Sequence, residues 1–168
     1  MQDMIRDLLS YVTVENRIKQ LRLIDCEAIF LEVLSNLEVA IAESDAVIIH
    51  DSLPTVMSDA SQMLRLLQNL VSNAIKFRMQ EKPLLISVQA VEQEKEWLFS
   101  VKDNGIGIAP NYSERIFQMC QRLHTQNEYS GTGIGLAVCK KIVDNHGTSI
   151  WVESQPGEGA TFYFTIKK

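Results

Sequence analysis

The stretch GTGIGLAVCKKIVDNHG, from Gly131 to Gly147, constrains the fold most, because glycines at 131, 133 and 135 run straight into an amphipathic helical repeat. Leu136, Cys139, Ile142 and Val143 recur on one helix face, while Lys140, Lys141, Asp144 and Asn145 recur on the other. A helix here has a buried side, and its first turn begins at the glycines. The first N–H groups of a helix lack internal partners and glycine lets a ligand approach the backbone, so this junction suits an anion such as a phosphate. A flexible turn is the competing reading. His146 and Gly147 close the helix as a cation-capable residue and a C′ glycine. The absence of a Gly-Lys-Ser/Thr ending excludes a P-loop, and the preceding HTQNEYS is too polar for the strand that a dinucleotide site requires.

A second, long helix is predicted from Asp59, as N-cap with Gln62 as its return partner, to about Gln80. Met63, Leu67, Leu70, Ala74 and Phe77 alternate steps of four and three, the spacing of a core-facing stripe. Asn69, Asn73 and Lys76 follow the same steps on a different face, so two carboxamides and an ammonium line up. Alone, that row reads as a solvated face. Beside a phosphate-cradling loop it reads differently, because amide oxygens suit a hard cation such as Mg²⁺ and an ammonium suits a phosphate.

Leu84 to Val91 and Trp97 to Asp103 form a predicted hairpin joined by the charged EQEKE. Trp97, Phe99 and Val101 share a face with Asp103, so a carboxylate arrives where the alternation predicts another core residue. Asp103-Asn104-Gly105 is a strong turn opener in its own right. Equally, a carboxylate ending a core strand can accept a hydrogen bond from a ligand's amino group, with Gly105 and Gly107 allowing close approach.

The remaining chain supplies the frame. Met4, Leu8, Tyr11 and Ile18, with Ile5, Leu9 and Val12, form a helical stripe with no partner in its own segment, as expected of a piece of a longer assembly or of a helix folded back on its domain. Leu21 to Asp25 reads as a short strand, followed by one helix from Asp25 or Cys26 through Leu31, Leu34, Leu37 and Ile41. AVIIH (46–50) and the TVM after DSLP read as two short strands paired across a proline turn. Between Ile108 and Ser130 periodicity lapses apart from a short SERIFQM helix, which suggests a mobile cover. Ser149 to Glu153 and Ala160 to Ile166 make a last strand pair around SQPGEG, with Ala160, Phe162, Phe164 and Ile166 alternating with Thr161, Tyr163 and Thr165. This order predicts an α+β two-layer sandwich: a mixed, mostly antiparallel sheet covered on one face by about three helices, with a lid.

With 46% hydrophobic residues in 168, the chain can bury one compact core. A net charge of −5 without a clustered basic patch argues against nucleic acid or anionic lipid as a partner. Cys26, Cys120 and Cys139 show no CxxC pairing and read as buried or free thiols of a reducing, cytoplasmic compartment. No apolar run approaches the roughly 20 residues that span a bilayer, so direct membrane insertion is not expected.

NLVSNAIKF (69–77), DNGIGI (103–108), the lid residues RIFQMCQRLH, GTGIGL (131–136) and GEGAT (157–161) together resemble, in order and spacing, the ATP-binding catalytic domain of sensor histidine kinases. The resemblance runs from about residue 20 to the C-terminus and is strongest to the phytochrome-type branch, through QRLHTQNEYSGTGIGLAVCKKIV and WVES. The same fold serves gyrase-type and chaperone ATPases. The resemblance implies ATP and Mg²⁺ as ligands: Asn73 coordinating the metal, Lys76 and Asn69 as catalytic residues at the phosphates and metal, and Asp103 recognising the adenine amino group. Gly105 and Gly107 would shape the adenine pocket. Gly131, Thr132, Gly133, Gly135 and Leu136 would hold the triphosphate, Thr161 would lie near the adenine through the Asp103 network, and Arg122 in the lid would touch a phosphate.

The ATPases of this fold place a general-base glutamate where this chain has Asn69, and an amide cannot take a proton from water. Transfer to a separate nucleophile is therefore expected over hydrolysis. Relatives phosphorylate a histidine on an upstream helical hairpin, in a motif that does not occur around His50, His124 or His146. Residues 1–19 are read as the end of that dimerisation and phosphoacceptor hairpin or its linker, and 20–168 as the catalytic and ATP-binding domain. The implied function is donation of the γ-phosphoryl group of Mg·ATP to the hairpin's histidine, with the hairpin and a response regulator receiver domain as partners and a homodimeric parent. A nucleotide-responsive interaction module without transfer chemistry is the alternative.

Overall fold

The computed structural model describes residues 2–16, 20–121 and 131–168. In chain order the elements are α1 (Gln2–Asn16), β1 (Arg22–Asp25), α2 (Cys26–Asn36), α3 (Glu38–Ser44), β2 (Val47–His50), β3 (Thr55–Ser58), α4 (Ala60–Lys76), β4 (Leu85–Glu92), β5 (Glu96–Asp103), α5 (Gly135–Asn145), β6 (Ile150–Ser154) and β7 (Ala160–Lys167). Strands β2-β4-β5-β7-β6 form the main sheet in that spatial order. Its pairings are antiparallel except for β2 with β4. The α+β sandwich with a mixed, mostly antiparallel sheet is thus the fold adopted.

The core lies between the sheet and α4. Met63, Leu66, Leu67, Leu70, Val71, Ala74 and Ile75 of that helix are buried against Ile86, Val88, Phe99, Val101, Phe162 and Phe164. Phe99 and Phe164 are register partners on β5 and β7 and stack at 4.8 Å between ring centroids. Each such ring removed from water contributes about 1.5–3 kcal/mol, so this seam fixes how the two hairpins abut. The α5 face of Cys139, Ile142 and Val143 is buried as its periodicity requires. His146 and Gly147 end α5, with Gly147 left-handed at φ 67°.

Five local expectations change. The strands after Ala46 do not pair with each other: β2 joins β4, and β3 joins β1 in a separate two-stranded ribbon. The loop between them is held to α2 instead, since the Leu53 N–H donates to Glu27 Oε2 at 2.8 Å and Pro54 O accepts the Cys26 N–H at 3.1 Å. The helix after Asp25 divides at Leu37, and its buried stripe is Cys26, Ile29, Phe30 and Val33, while Leu31 is exposed. Asp59 caps α4 through Ser61 N and Gln62 N, but the Gln62 side chain does not return the bond. Helix α4 ends at Lys76 rather than near Gln80, because the Phe77 carbonyl is taken by the Ile106 N–H at 3.0 Å. SERIFQM forms only a 3-10 turn, Arg115–Phe117, preceded by another at Pro110–Tyr112.

Helix α1 lies on α5, with Val14 buried and Tyr11 against the core. Met4, Ile5, Leu8, Leu9 and Val12 remain exposed. Ile18, the last member of the predicted stripe, lies outside the described residues.

Candidate functional site

The end of α4, the DNGIG turn after β5 and the glycines before α5 meet in one cleft with two connected compartments. The first is largely apolar, walled by Phe77, Ile106, Ile108, Ile116, Leu136 and Phe162, with Asp103 as its charged member. Phe77 therefore belongs to the cleft wall, not to the core stripe in which its spacing placed it. The second is polar, walled by Asn69, Ser72, Asn73, Lys76, Gly131, Thr132, Gly133 and Gly135. Asn73, Phe77, Ile116, Gln121 and Leu136 border both, so a ligand with a flat apolar end and an anionic end can lie across them.

Asp103 stands at the end of β5 because the inward alternation Phe99, Val101, Asp103 carries it into the cleft. Its Oδ1 accepts the Gly105 N–H at 2.8 Å and the Ala160 N–H at 3.3 Å. Both functions read from the sequence are therefore compatible: Oδ1 builds the turn, and Oδ2 has no partner among the described residues. Burial pushes the carboxyl above its usual range, and the two backbone hydrogen bonds oppose that shift. Asn104 pins the turn from the other side, accepting Leu85 N–H and donating to Pro83 O, each at 2.9 Å.

The glycines of this turn are dictated by contact. A Cβ on Gly105 would stand 2.5 Å from Phe77 O, and one on Gly107 would stand 2.0 Å from Gln155 O with φ at +75°. The Gly157 N–H donates to Ile106 O at 2.8 Å, and the Ile108 N–H donates to Ser154 Oγ at 2.8 Å. The GEG turn thus backs the apolar compartment.

In the polar compartment α5 starts without a side-chain cap among the described residues, and its first N–H groups suit an anion. Lys76 Nζ reaches over the glycine loop and lies 4.8 Å from the Phe77 ring centroid. A Cβ on Gly131, at φ +132°, would come within 2.1 Å of Lys76 Nζ. Asn69 Nδ2 donates to Gly135 O at 3.2 Å, tying α4 to the start of α5 and leaving Oδ1 as an acceptor.

Asn69, Asn73, Lys76, Asp103, Gly107, Gly131, Thr132, Gly133, Gly135 and Leu136 all line the cleft, and Gly105 sets its shape from behind. Thr161 does not line it. Ala160 and Phe162 face inward, so the strand alternation turns Thr161 to the other face, into an adjoining concavity that it lines with Lys102, Asp103 and Glu153. The hydrogen bond that this strand gives to Asp103 comes from the Ala160 N–H. Arg122 and His124 lie outside the described residues. Asp7 of α1 lines the polar compartment, although no motif or spacing in the sequence marks it.

These residues fit a magnesium nucleotide. The Asp103 carboxylate and the glycine-shaped apolar compartment suit a purine bearing an amino group, while Lys76 and the uncapped α5 suit phosphates. Among the described residues no cluster of three or more His, Cys, Asp or Glu could hold a metal alone. The amide oxygens of Asn73 and Asn69 suit a cation whose other ligands are phosphate oxygens and water.

Residues 58–168 match the family model described as histidine kinase-, DNA gyrase B- and HSP90-like ATPase. Cyanobacterial phytochrome A of Nostoc sp. is 55% identical over 99% of this chain, and the adaptive-response sensory kinase SasA of Prochlorococcus marinus is 47% identical over 68% of it. The chain spans 22% of the first relative's length and 30% of the second's. Among solved structures, full-length ShkA in complex with AMPPNP superposes with a TM-score of 0.82 at 26% identity, over 97% of this chain and 35% of that one. The catalytic domain of histidine kinase ThkA gives 0.76 at 27% identity, over 89% and 96% of the two chains.

Proposed function

Because this chain belongs to the family of histidine kinase-, DNA gyrase B- and HSP90-like ATPases, as an ATP-binding catalytic domain of the histidine kinase kind, we propose that it holds Mg·ATP for transfer of the γ-phosphoryl group to a histidine on an upstream dimerisation hairpin. Residues 1–19 are assigned to the end of that hairpin or its linker, and 20–168 to the catalytic domain. The observation that carries this reading is the two-compartment cleft, apolar around Asp103 and polar around Lys76 and the glycine loop. ShkA, of the same fold, holds AMPPNP, which supports a nucleotide here.

Asp103 Oδ2 accepts from the adenine amino group, and Phe77 and Leu136 cover the base. Lys76, Thr132 and the first N–H groups of α5 take the phosphates. Asn73, with Asn69 beside it, is assigned to Mg²⁺, which supplies charge neutralisation on the phosphate oxygens when bound. Phosphoryl transfer passes through a loose transition state, so positioning and charge stabilisation are what the chain contributes. An amide at position 69 offers no base to activate water, which favours transfer over hydrolysis.

The described histidines are engaged structurally. The His146 ring contacts Ile142 O at 2.7 Å and Ser58 Oγ at 2.9 Å, and that of His50 contacts Asp51 O at 3.0 Å and Phe30 edge-on. The nucleophile is therefore assigned to the hairpin, and a response regulator receiver domain to the next transfer in the cytoplasm. Incubation with labelled ATP should leave the chain itself unlabelled, and added hairpin should acquire acid-labile phosphohistidine. Nucleotide binding without label on the hairpin would reduce the domain to a nucleotide-responsive interaction module.

A further inference from the structure

Helix α1 meets the catalytic domain through residues at helical spacing, Asp7, Ser10, Tyr11 and Val14. Arg65 Nη1 donates to Ser10 O at 3.1 Å, and Asn145 Nδ2 donates to Val14 O at 3.3 Å. Lys141 Nζ lies 5.3 Å from the Tyr11 ring centroid, and Val14 is buried. At the other end of this row Asp7 is half-buried, and its Oδ2 accepts the Thr132 hydroxyl at 2.5 Å inside the polar compartment. A carboxylate thus stands among Lys76, Thr132 and the uncapped start of α5, the groups best suited to an anion.

We propose that Asp7 is an affinity-determining residue of the phosphate compartment: its carboxylate holds Thr132 and repels an arriving triphosphate, so nucleotide and α1 compete for one loop. This inference rests on the assignment of that compartment to phosphates. Two anions drawn to the same donors cannot both be satisfied, and the bond that Thr132 gives to Asp7 is withdrawn from the ligand. By linkage, whatever α1 docking subtracts from nucleotide affinity, nucleotide subtracts from α1 docking. The row of contacts along α1 makes the coupling mechanical, because losing Asp7 loosens the end of the helix that the Ser10 and Val14 contacts do not hold.

The test measures Mg·ATP affinity by calorimetry for wild type, Asp7→Asn and Asp3→Asn, the last an equal charge change on an exposed part of α1. Asp7→Asn should tighten binding by about fivefold or more, the lower end of usual coupling, and Asp3→Asn should leave it unchanged. Unchanged or weaker binding by Asp7→Asn overturns the proposal, the weaker result making Asp7 a nucleotide or metal ligand. Hydrogen exchange of the amides of 5–14 gives the reciprocal readout: Mg·ATP should speed it in wild type, and Asp7→Ala should speed it without nucleotide. A wild type that takes up no Mg·ATP defeats the nucleotide assignment alone. The nucleotide-free arm still judges the latch, since equal exchange in wild type and Asp7→Ala removes it.

Discussion

The Ala160 backbone N–H donates to Asp103 Oδ1 at 3.3 Å, joining the start of β7 to the end of β5 at the wall of the apolar compartment. One carboxylate oxygen is thereby fixed by the fold, and the other is left for a ligand. Asp103→Asn separates the two roles, because the amide oxygen can still accept from Gly105 and Ala160 while an NH₂ group replaces Oδ2. Hydrogen bonds to charged groups contribute about 1.5–3 kcal/mol, so Mg·ATP affinity should fall about 10- to 100-fold with little change in melting temperature. Calorimetry on the folded variant checks this, and unchanged affinity would remove the adenine assignment.

How far the sequence carried the fold depends on whether local pattern or long-range contact decided each element. The α5 stripe and the inward row Phe99, Val101, Asp103 were legible because their periods are local properties. The partner of β2 was not, since a parallel pairing with β4 depends on a crossover through α4 that no local pattern encodes. The end of α4 was set from outside, by Ile106 taking the Phe77 carbonyl. In the site, motif spacing located Asn73, Lys76 and the glycines. The same spacing did not show that Thr161 lies on the opposite strand face from Ala160 and Phe162, in a concavity it shares with Asp103. Asp7 carried no signal, because a lone acid on a surface helix is ordinary.

Stability against pH should show two carboxylates of opposite sign. Burial raises the folded-state pKa of Asp103, so stability falls as pH rises from the ordinary aspartate range through that higher value. Asp103→Asn should flatten this loss and leave the nucleotide-free chain at least as stable at neutral pH. For Asp59 burial also acts upward, but bonds from the Ser61 hydroxyl and the Gln62, Gln20 and Ser61 N–H groups outweigh it and hold the pKa low. Its contribution is present above the ordinary aspartate pKa and is lost as pH falls through the lowered folded value. Asp59→Asn should flatten that acid limb. Denaturant midpoints across about pH 3–7 read both, and a variant matching the wild-type curve would refute its assignment.

Two glycines with similar torsions should respond differently to alanine. Gly107 and Gly157 have φ of +75° and +83°, but a Cβ at Gly107 would press within 2.0 Å of Gln155 O, whereas one at Gly157 would meet no atom of the described residues within 4 Å. Gly157→Ala should cost only the left-handed penalty of about 1–2 kcal/mol and leave Mg·ATP affinity intact. Gly107→Ala must also shift the backbone between the DNGIG and GEG turns, so it should cost more and weaken nucleotide binding together with stability. Equal effects of the two would mean that the turns do not pack as described.

Gln62 is 2% exposed, and among the described residues neither its Nε2 nor its Oε1 has a hydrogen-bond partner. It lies in the first turn of α4, where a capping box would have its side chain accept from the Asp59 N–H, but that N–H is directed to His146 Nε2 at 3.5 Å, so the reciprocal bond is not made. A buried amide left in this state costs about 1–3 kcal/mol, and methionine matches the shape of glutamine without the polar atoms. Gln62→Met should therefore stabilise the domain by about 1 kcal/mol or more and raise the melting temperature by about 2–4 °C per kcal/mol for a chain of this size. Gln62→Glu should do the reverse, since it buries a charge without a partner. The check is a shift of the urea midpoint at constant slope. A lower midpoint for Gln62→Met would show that the amide is satisfied in solution by an ordered water, and the position would then be a polar anchor of the α4 start rather than a defect in it.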